Sequence, residues 1–80
     1  MAKMVTLINI EKDTKELGTV NGRRIVLGSS LDSGNDDLRI ARPEVSLTQI
    51  EFSELKKIPA VEQALDFWTK ANPPKVMIRS

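Results

Sequence analysis

Residues 4–10, Met-Val-Thr-Leu-Ile-Asn-Ile, are short, rich in β-branched side chains and almost continuously apolar, and they predict a first strand. A polar turn over residues 11–16 follows. Leu17-Gly18-Thr19-Val20 and Arg23-Arg24-Ile25-Val26-Leu27 then flank Asn21-Gly22. Asn-Gly between two β-type runs favours a two-residue type I′ hairpin turn, because both positions need positive φ. The implied register sets Val20 against Arg23, Gly18 against Ile25 and Leu17 against Val26. Leu17 and Val26 would mark the buried face, with Thr19 and Arg24 at a frayed tip. Residues 28–37 read as a loop by composition. Residues 38–41 and 45–47 read as strand pieces interrupted at Pro43, a residue that a central strand cannot carry, so at least one piece belongs at an edge.

The period then changes from two to 3.6. Thr48-Gln49-Ile50-Glu51 fits a capping box, opening a short helix to about Lys57 with Ile50, Phe52, Leu55 and Ile58 as its apolar positions. Pro59 stops that helix and suits the first turn of the next, where its missing N–H costs nothing. Over residues 60–71, Val61, Ala64, Leu65 and Trp68 recur at i, i+3, i+4 and i+7. Asp66 and Lys70 are spaced for an ion pair. Asn72-Pro73-Pro74 ends the helix, and residues 75–79 resume as a short strand with Val76 and Ile78 on one side. The order predicts a single α+β domain over residues 1–80: a small antiparallel sheet with an Asn-Gly hairpin, two short C-terminal helices packed on one face, and a final short strand.

Composition narrows the chemistry. The 80 residues carry 12 Lys plus Arg against 11 Asp plus Glu, a net charge of +1, with no His, Cys or Tyr. Without His or Cys there is no zinc site of the Cys/His type, no thiol nucleophile, no disulfide and no imidazole base. The charge is spread evenly, whereas a nucleic-acid binder concentrates cations against phosphates. No apolar run approaches the ~20 residues that span a bilayer. The opening Met1-Ala2-Lys3-Met4 does not read as a cleaved signal peptide.

Several clusters of polar residues bear on chemistry. Asp32, Asp36 and Asp37 begin like a calcium loop, but counting from Asp32 puts Asp37 where glycine is wanted and Pro43 where a bidentate Glu should close the site. A solvated loop is the expectation. Gly28-Ser29-Ser30 lacks the Lys-Ser/Thr of a phosphate loop and the flanking glycines of a nucleophile elbow. Glu51, Glu54, Glu62 and Asp66 supply carboxylates, which helix-surface solubility explains without a catalytic cleft. Arg23 and Arg24 at the hairpin tip, with Arg39, Arg42, Lys75 and Arg79, form the candidate basic patch, but the aromatics Phe52, Phe67 and Trp68 all lie in helical segments. Phe67 and Trp68 point about 100° apart on one helix. Burial preference favours both rings in the core; an exposed Phe67 is the alternative, and would make a contact point for another chain.

Three segments carry a resemblance. Val5-Thr6-Leu7-Ile8-Asn9, the glycine-turned hairpin from Asn21-Gly22 to Leu27, and Leu55, Pro59-Ala60-Val61, Leu65 and Val76 to Ile78 together resemble small proteins encoded among the head, neck and tail genes of tailed bacteriophages, Mu-like ones included. The loop over 28–37 and the longer helix with Trp68 depart from that pattern. The resemblance implies a virion structural or assembly protein (capsid, neck or tail accessory) located in the virion or the host cytoplasm. The expectation is a non-enzymatic module without cofactor or metal, binding other virion subunits or itself through Arg23, Arg24, Phe67, Val76 and Ile78. The alternatives are an inhibitor or regulator of a host enzyme and, behind it, a small DNA-binding protein.

Overall fold

The computed structural model describes residues 3–34, 37 and 39–79. Five strands and two helices follow the predicted order: β1 (Met4–Asn9), β2 (Lys15–Val20), β3 (Arg23–Leu27), a 3-10 turn (Ser30–Asp32), β4 (Glu44–Thr48), α1 (Gln49–Lys56), α2 (Pro59–Lys70) and β5 (Val76–Arg79). The sheet is divided. β1 lies between β4 and β5 in an antiparallel three-stranded sheet, and β2 pairs with β3 alone. This is an α+β architecture in which the first strand joins two strands from the second half of the chain.

Register explains which residues are buried. Val5 opposes Leu47, Leu7 opposes Val45 and Ile78, and Asn9 opposes Val76, so these side chains share one face. That face meets the hairpin and both helices in one core holding Leu7, Ile25, Leu27, Leu47, Leu55 and Val76, all nearly or wholly inaccessible. Phe52 and Trp68 pack against its margin.

Asn21 (φ 52°) and Gly22 (φ 75°) join β2 to β3, the sign of φ that the two-residue turn demands. Val20 opposes Arg23 and Gly18 opposes Ile25, but the ladder slips at Leu17, and Glu16 rather than Leu17 opposes Val26. The irregularity lets Leu17 turn into the core while Val26 stays half-buried. The ladder runs through Thr19 and Arg24 to the turn, so that end of the hairpin is paired rather than frayed.

Of the two expected strand pieces, the second forms, as the edge strand β4, and the described residues of the first contain no strand. Leu38 lies outside the described residues, Arg39 and Ile40 adopt turn and bend conformations, and Ala41 belongs to no regular element. Pro43, just before β4, offers its carbonyl to the Asn9 N–H at 2.9 Å, a role that needs no N–H of its own. Thr48 and Glu51 close the capping box, each accepting the other's backbone N–H at 3.1 and 3.0 Å. The N–H donated by Thr48 holds the Glu51 carboxyl below its ordinary pKa. Ile50 departs from the expected stripe: in the first turn of α1 it is 73% exposed, and Leu55 carries the buried face. Pro59 opens α2 at its first position, and the Asn72-Pro73 peptide after α2 is cis.

Candidate interaction surface

Where α1, α2 and β5 meet, the surface folds inward as a groove of about 330 Å³. Phe52 from α1, Leu65 from α2 and Ile78 from β5 supply its apolar lining, and Glu62, Gln63 and Asp66 stand along its α2 rim. The helical period places Glu62, Asp66 and Thr69 on one flank of α2 beside the buried Leu65. The Thr69 hydroxyl donates back to the Leu65 carbonyl at 2.8 Å and so is engaged within the helix. Lys56 lies over the Phe52 ring at 5.5 Å, and Asp66 pairs with Lys70 at 2.8 Å as the spacing predicted. Glu62 has no ion-pair partner among the described residues. A second depression of about 270 Å³ lies between Ser33-Gly34 and residues 42–46.

The sequence-nominated residues do not form one site. Ile78 lines the groove. Phe67 is 63% exposed, which corrects the expectation that both aromatics of α2 are core. Val61, Leu65 and Trp68 set the inward stripe of α2, and at 100° per residue Phe67 falls on the opposite side, where the Lys75 ammonium lies 5.3 Å from its ring. Val76 is wholly buried because its alternation with Met77 turns it beneath α2, so it offers no side chain to a partner. Arg24 donates to Glu16 across the hairpin at 2.7 Å, and Arg23 stands 3.8 Å from Glu51. Arg39 is held by Asp37 at 3.0 Å. Carboxylates therefore accompany three of the arginines proposed as a basic patch, and the cations are dispersed over the fold.

Two residues escaped the sequence reading. Lys15, in the segment that composition predicts as a polar turn, is 4% exposed, and Asn9 is 1% exposed. The Lys15 ammonium donates to Glu11 at 2.9 Å and to both oxygens of Asp13 at 2.8 and 2.9 Å, and it lies 5.2 Å from the Trp68 ring. The Asn9 amide donates to the Asp13 and Gly28 carbonyls at 2.6 and 2.9 Å, while its oxygen accepts from the Glu11 N–H at 3.0 Å. This hub ties the β1–β2 turn to the exit of β3 and to α2.

The hub has a pH signature. The Lys15 hydrogen bond, foremost, holds Asp13 below its ordinary pKa of 3.8. Burial pulls Lys15 downward, but the hydrogen bonds from Asp13 and Glu11 outweigh it and raise the ammonium above 10.5. Asp13 thus contributes stability that is complete above pH 3.8 and lost as pH falls through its folded value; Lys15 contributes stability that is complete below pH 10.5 and lost as pH rises through its own. Lys15→Met keeps much of the stem over Trp68 and is expected to cost about 1–2 kcal/mol at pH 7 by urea denaturation. The acid and alkaline flanks of the thermal-midpoint profile should flatten with it; an unchanged profile would show that the hub carries no linkage.

Comparison with protein-family models, with curated proteins and with solved structures gives no match.

Proposed function

We propose that this chain is a non-enzymatic protein–protein interaction module, a small structural or assembly component of a bacteriophage particle. The observation that carries the interaction role is the groove where α1, α2 and β5 meet, in which three apolar side chains, Phe52, Leu65 and Ile78, are set among the polar and charged Lys56, Glu62, Gln63, Asp66 and Thr69. Such a site suits a segment of another protein that inserts an apolar side chain and sets a basic residue against the rim. Lys56 rests on Phe52 and Asp66 pairs with Lys70, which leaves Glu62 as the rim carboxylate that a partner's basic residue would meet. The assignment to a virion draws on the sequence resemblance alone.

The test is affinity capture of the tagged full chain from the cells in which it is naturally made, with bound proteins identified and quantified. Capsid, neck or tail proteins in fixed ratio are the expected result. One host enzyme would replace this reading with that of a regulator, and nucleic acid released at high salt would replace it with that of a DNA-binding protein. Ile78→Glu puts a third carboxylate into the groove and should reduce capture by about tenfold or more, with an unchanged circular dichroism spectrum. Phe67→Ala should leave the fold intact, because that ring lies outside the core.

A further inference from the structure

We infer that Asn21-Gly22, at the tip of the β2–β3 hairpin, is a self-modifying site: in the folded chain the Gly22 amide nitrogen closes on the Asn21 side chain, releases ammonia, and leaves aspartate or isoaspartate at position 21. The site lies apart from the groove, and the inference does not depend on the function proposed above.

The chemistry needs only water. Hydroxide removes the Gly22 amide proton, and the nitrogen attacks Cγ of Asn21. The N–Cγ bond forms, the Cγ–Nδ2 bond breaks, and Nδ2 leaves as ammonia with a proton taken from water, which regenerates the hydroxide. The product is a cyclic succinimide spanning both residues. Water then opens the ring at either carbonyl. Breaking the new N–Cγ bond restores the normal chain with an aspartate. Breaking the bond between the nitrogen and the backbone carbonyl carbon leaves the chain running through Cβ and Cγ, which is isoaspartate. One water is consumed and one ammonia released, with nothing oxidised or reduced.

The turn presents both reacting groups. They must approach to about 3–3.5 Å, without competing bonds that hold them elsewhere. Asn21 and Gly22 are both exposed. The Asn21 amide has no hydrogen-bond partner among the described residues, so its side chain is free to rotate onto the nitrogen. Val20 and Arg23 close the ladder, which leaves the Gly22 N–H outside it and without a partner among the described residues. Nothing stands within 4 Å of where a Gly22 Cβ would be, so hydroxide and water reach the nitrogen.

The other asparagines serve as internal controls. Asn9 is 1% exposed, its amide is held by the Asp13 and Gly28 carbonyls, and the Ile10 N–H that would attack it donates to Lys75 at 3.1 Å. Asn72 precedes Pro73, whose nitrogen has no proton to lose. Asn35 lies outside the described residues. Modification at Asn21 adds one negative charge, taking the net charge from +1 to zero, next but one to an Arg23 that faces Glu51 at 3.8 Å. Isoaspartate also inserts a carbon into a two-residue turn whose positive φ values, 52° and 75°, match the twist of the strands, so the Val20–Arg23 end of the ladder should open.

The test is incubation of the purified full chain for several weeks in neutral buffer, beside the same chain in denaturing urea, with products followed by intact-mass and tandem mass spectrometry. A gain of about 1 Da confined to position 21, with aspartyl and isoaspartyl forms both present, is expected. The rate should rise about tenfold per pH unit between about pH 6 and pH 8, because the attacking nitrogen is the deprotonated one. A domain of this size is globally unfolded for less than about one part in a thousand of the time, so reaction through the unfolded chain alone would run slower than in urea by about a thousandfold or more. Reaction in the folded turn should instead keep the native rate within about a hundredfold of the urea rate. Gly22→Ala sets a methyl group beside the nucleophile and should slow conversion by about tenfold, with circular dichroism showing that the fold is kept. A native rate below that hundredfold window, conversion at Asn9 or Asn72 as fast as at Asn21, or an unchanged rate in Gly22→Ala would each overturn the inference.

Discussion

Gly28→Ala is expected to leave the chain unfolded. Gly28 follows β3 and donates its N–H to the Arg42 carbonyl at 2.8 Å. A Cβ at this position would stand 1.8 Å from the Ala41 carbonyl oxygen and 2.5 Å from its carbon. Both are backbone atoms, so no side-chain rotation relieves the clash. The two segments must part, breaking the Gly28–Arg42 bond and displacing the Gly28 carbonyl from the Asn9 amide. An 80-residue domain has a total stability of about 4–12 kcal/mol, and losing this crossing should remove most of it. Gly22 and Gly34 provide the comparison. Each has positive φ, at 75° and 80°, and open space where a Cβ would go. Alanine at either should cost only about 1–2 kcal/mol of left-handed backbone strain. Urea denaturation of the three alanine variants separates the cases, and a Gly28→Ala variant within 1 kcal/mol of the parent would show that the crossing can open cheaply.

Asn9→Leu should be the second most damaging change, at about 2–4 kcal/mol. Leucine keeps the volume but strands the Gly28 carbonyl in the interior and strips partners from the Asp13 carbonyl and the Glu11 N–H. Asn9→Asp discriminates between lost bonding and lost shape. It retains an acceptor for the Glu11 N–H, yet turns an oxygen toward the two carbonyls that the amide had served. If hydrogen bonding is the cause, the near-isosteric aspartate should be about as destabilising as leucine. Full stability of Asn9→Asp in urea would assign the effect to shape.

The parts of the fold that were legible in the sequence are those with local causes. Thr48 and Glu51 are three residues apart and satisfy each other's backbone; Pro59 marks the start of α2 by lacking a donor; Asn21-Gly22 tolerates the backbone its position requires. The parts that were not legible depend on distant chain. Nothing near Lys15 announces its burial, since Glu11 and Asp13 make the segment look solvated, and the ring that covers it belongs to Trp68 in another element. The slip at Leu17 is likewise decided by the core it fills. Phe67 is exposed despite an aromatic's preference for burial, because the stripe of α2 that faces inward is set by the core it meets and not by the helix itself. Of the nominated contact residues, only Ile78 joins the groove, whose remaining walls come from elements far apart in sequence.

The antiparallel pairing of β1 with β5 sets how this protein responds to force. Thr6 and Arg79 are partners at one end of that ladder, so the entry of the first strand and the exit of the last leave the domain side by side. Tension applied between them pulls across the strands, and the backbone hydrogen bonds meet the load one pair after another instead of sharing it. Held through both of these points, the domain would open like a zipper, with β5 peeling first; held through its hairpin or its helices, it would spare that seam.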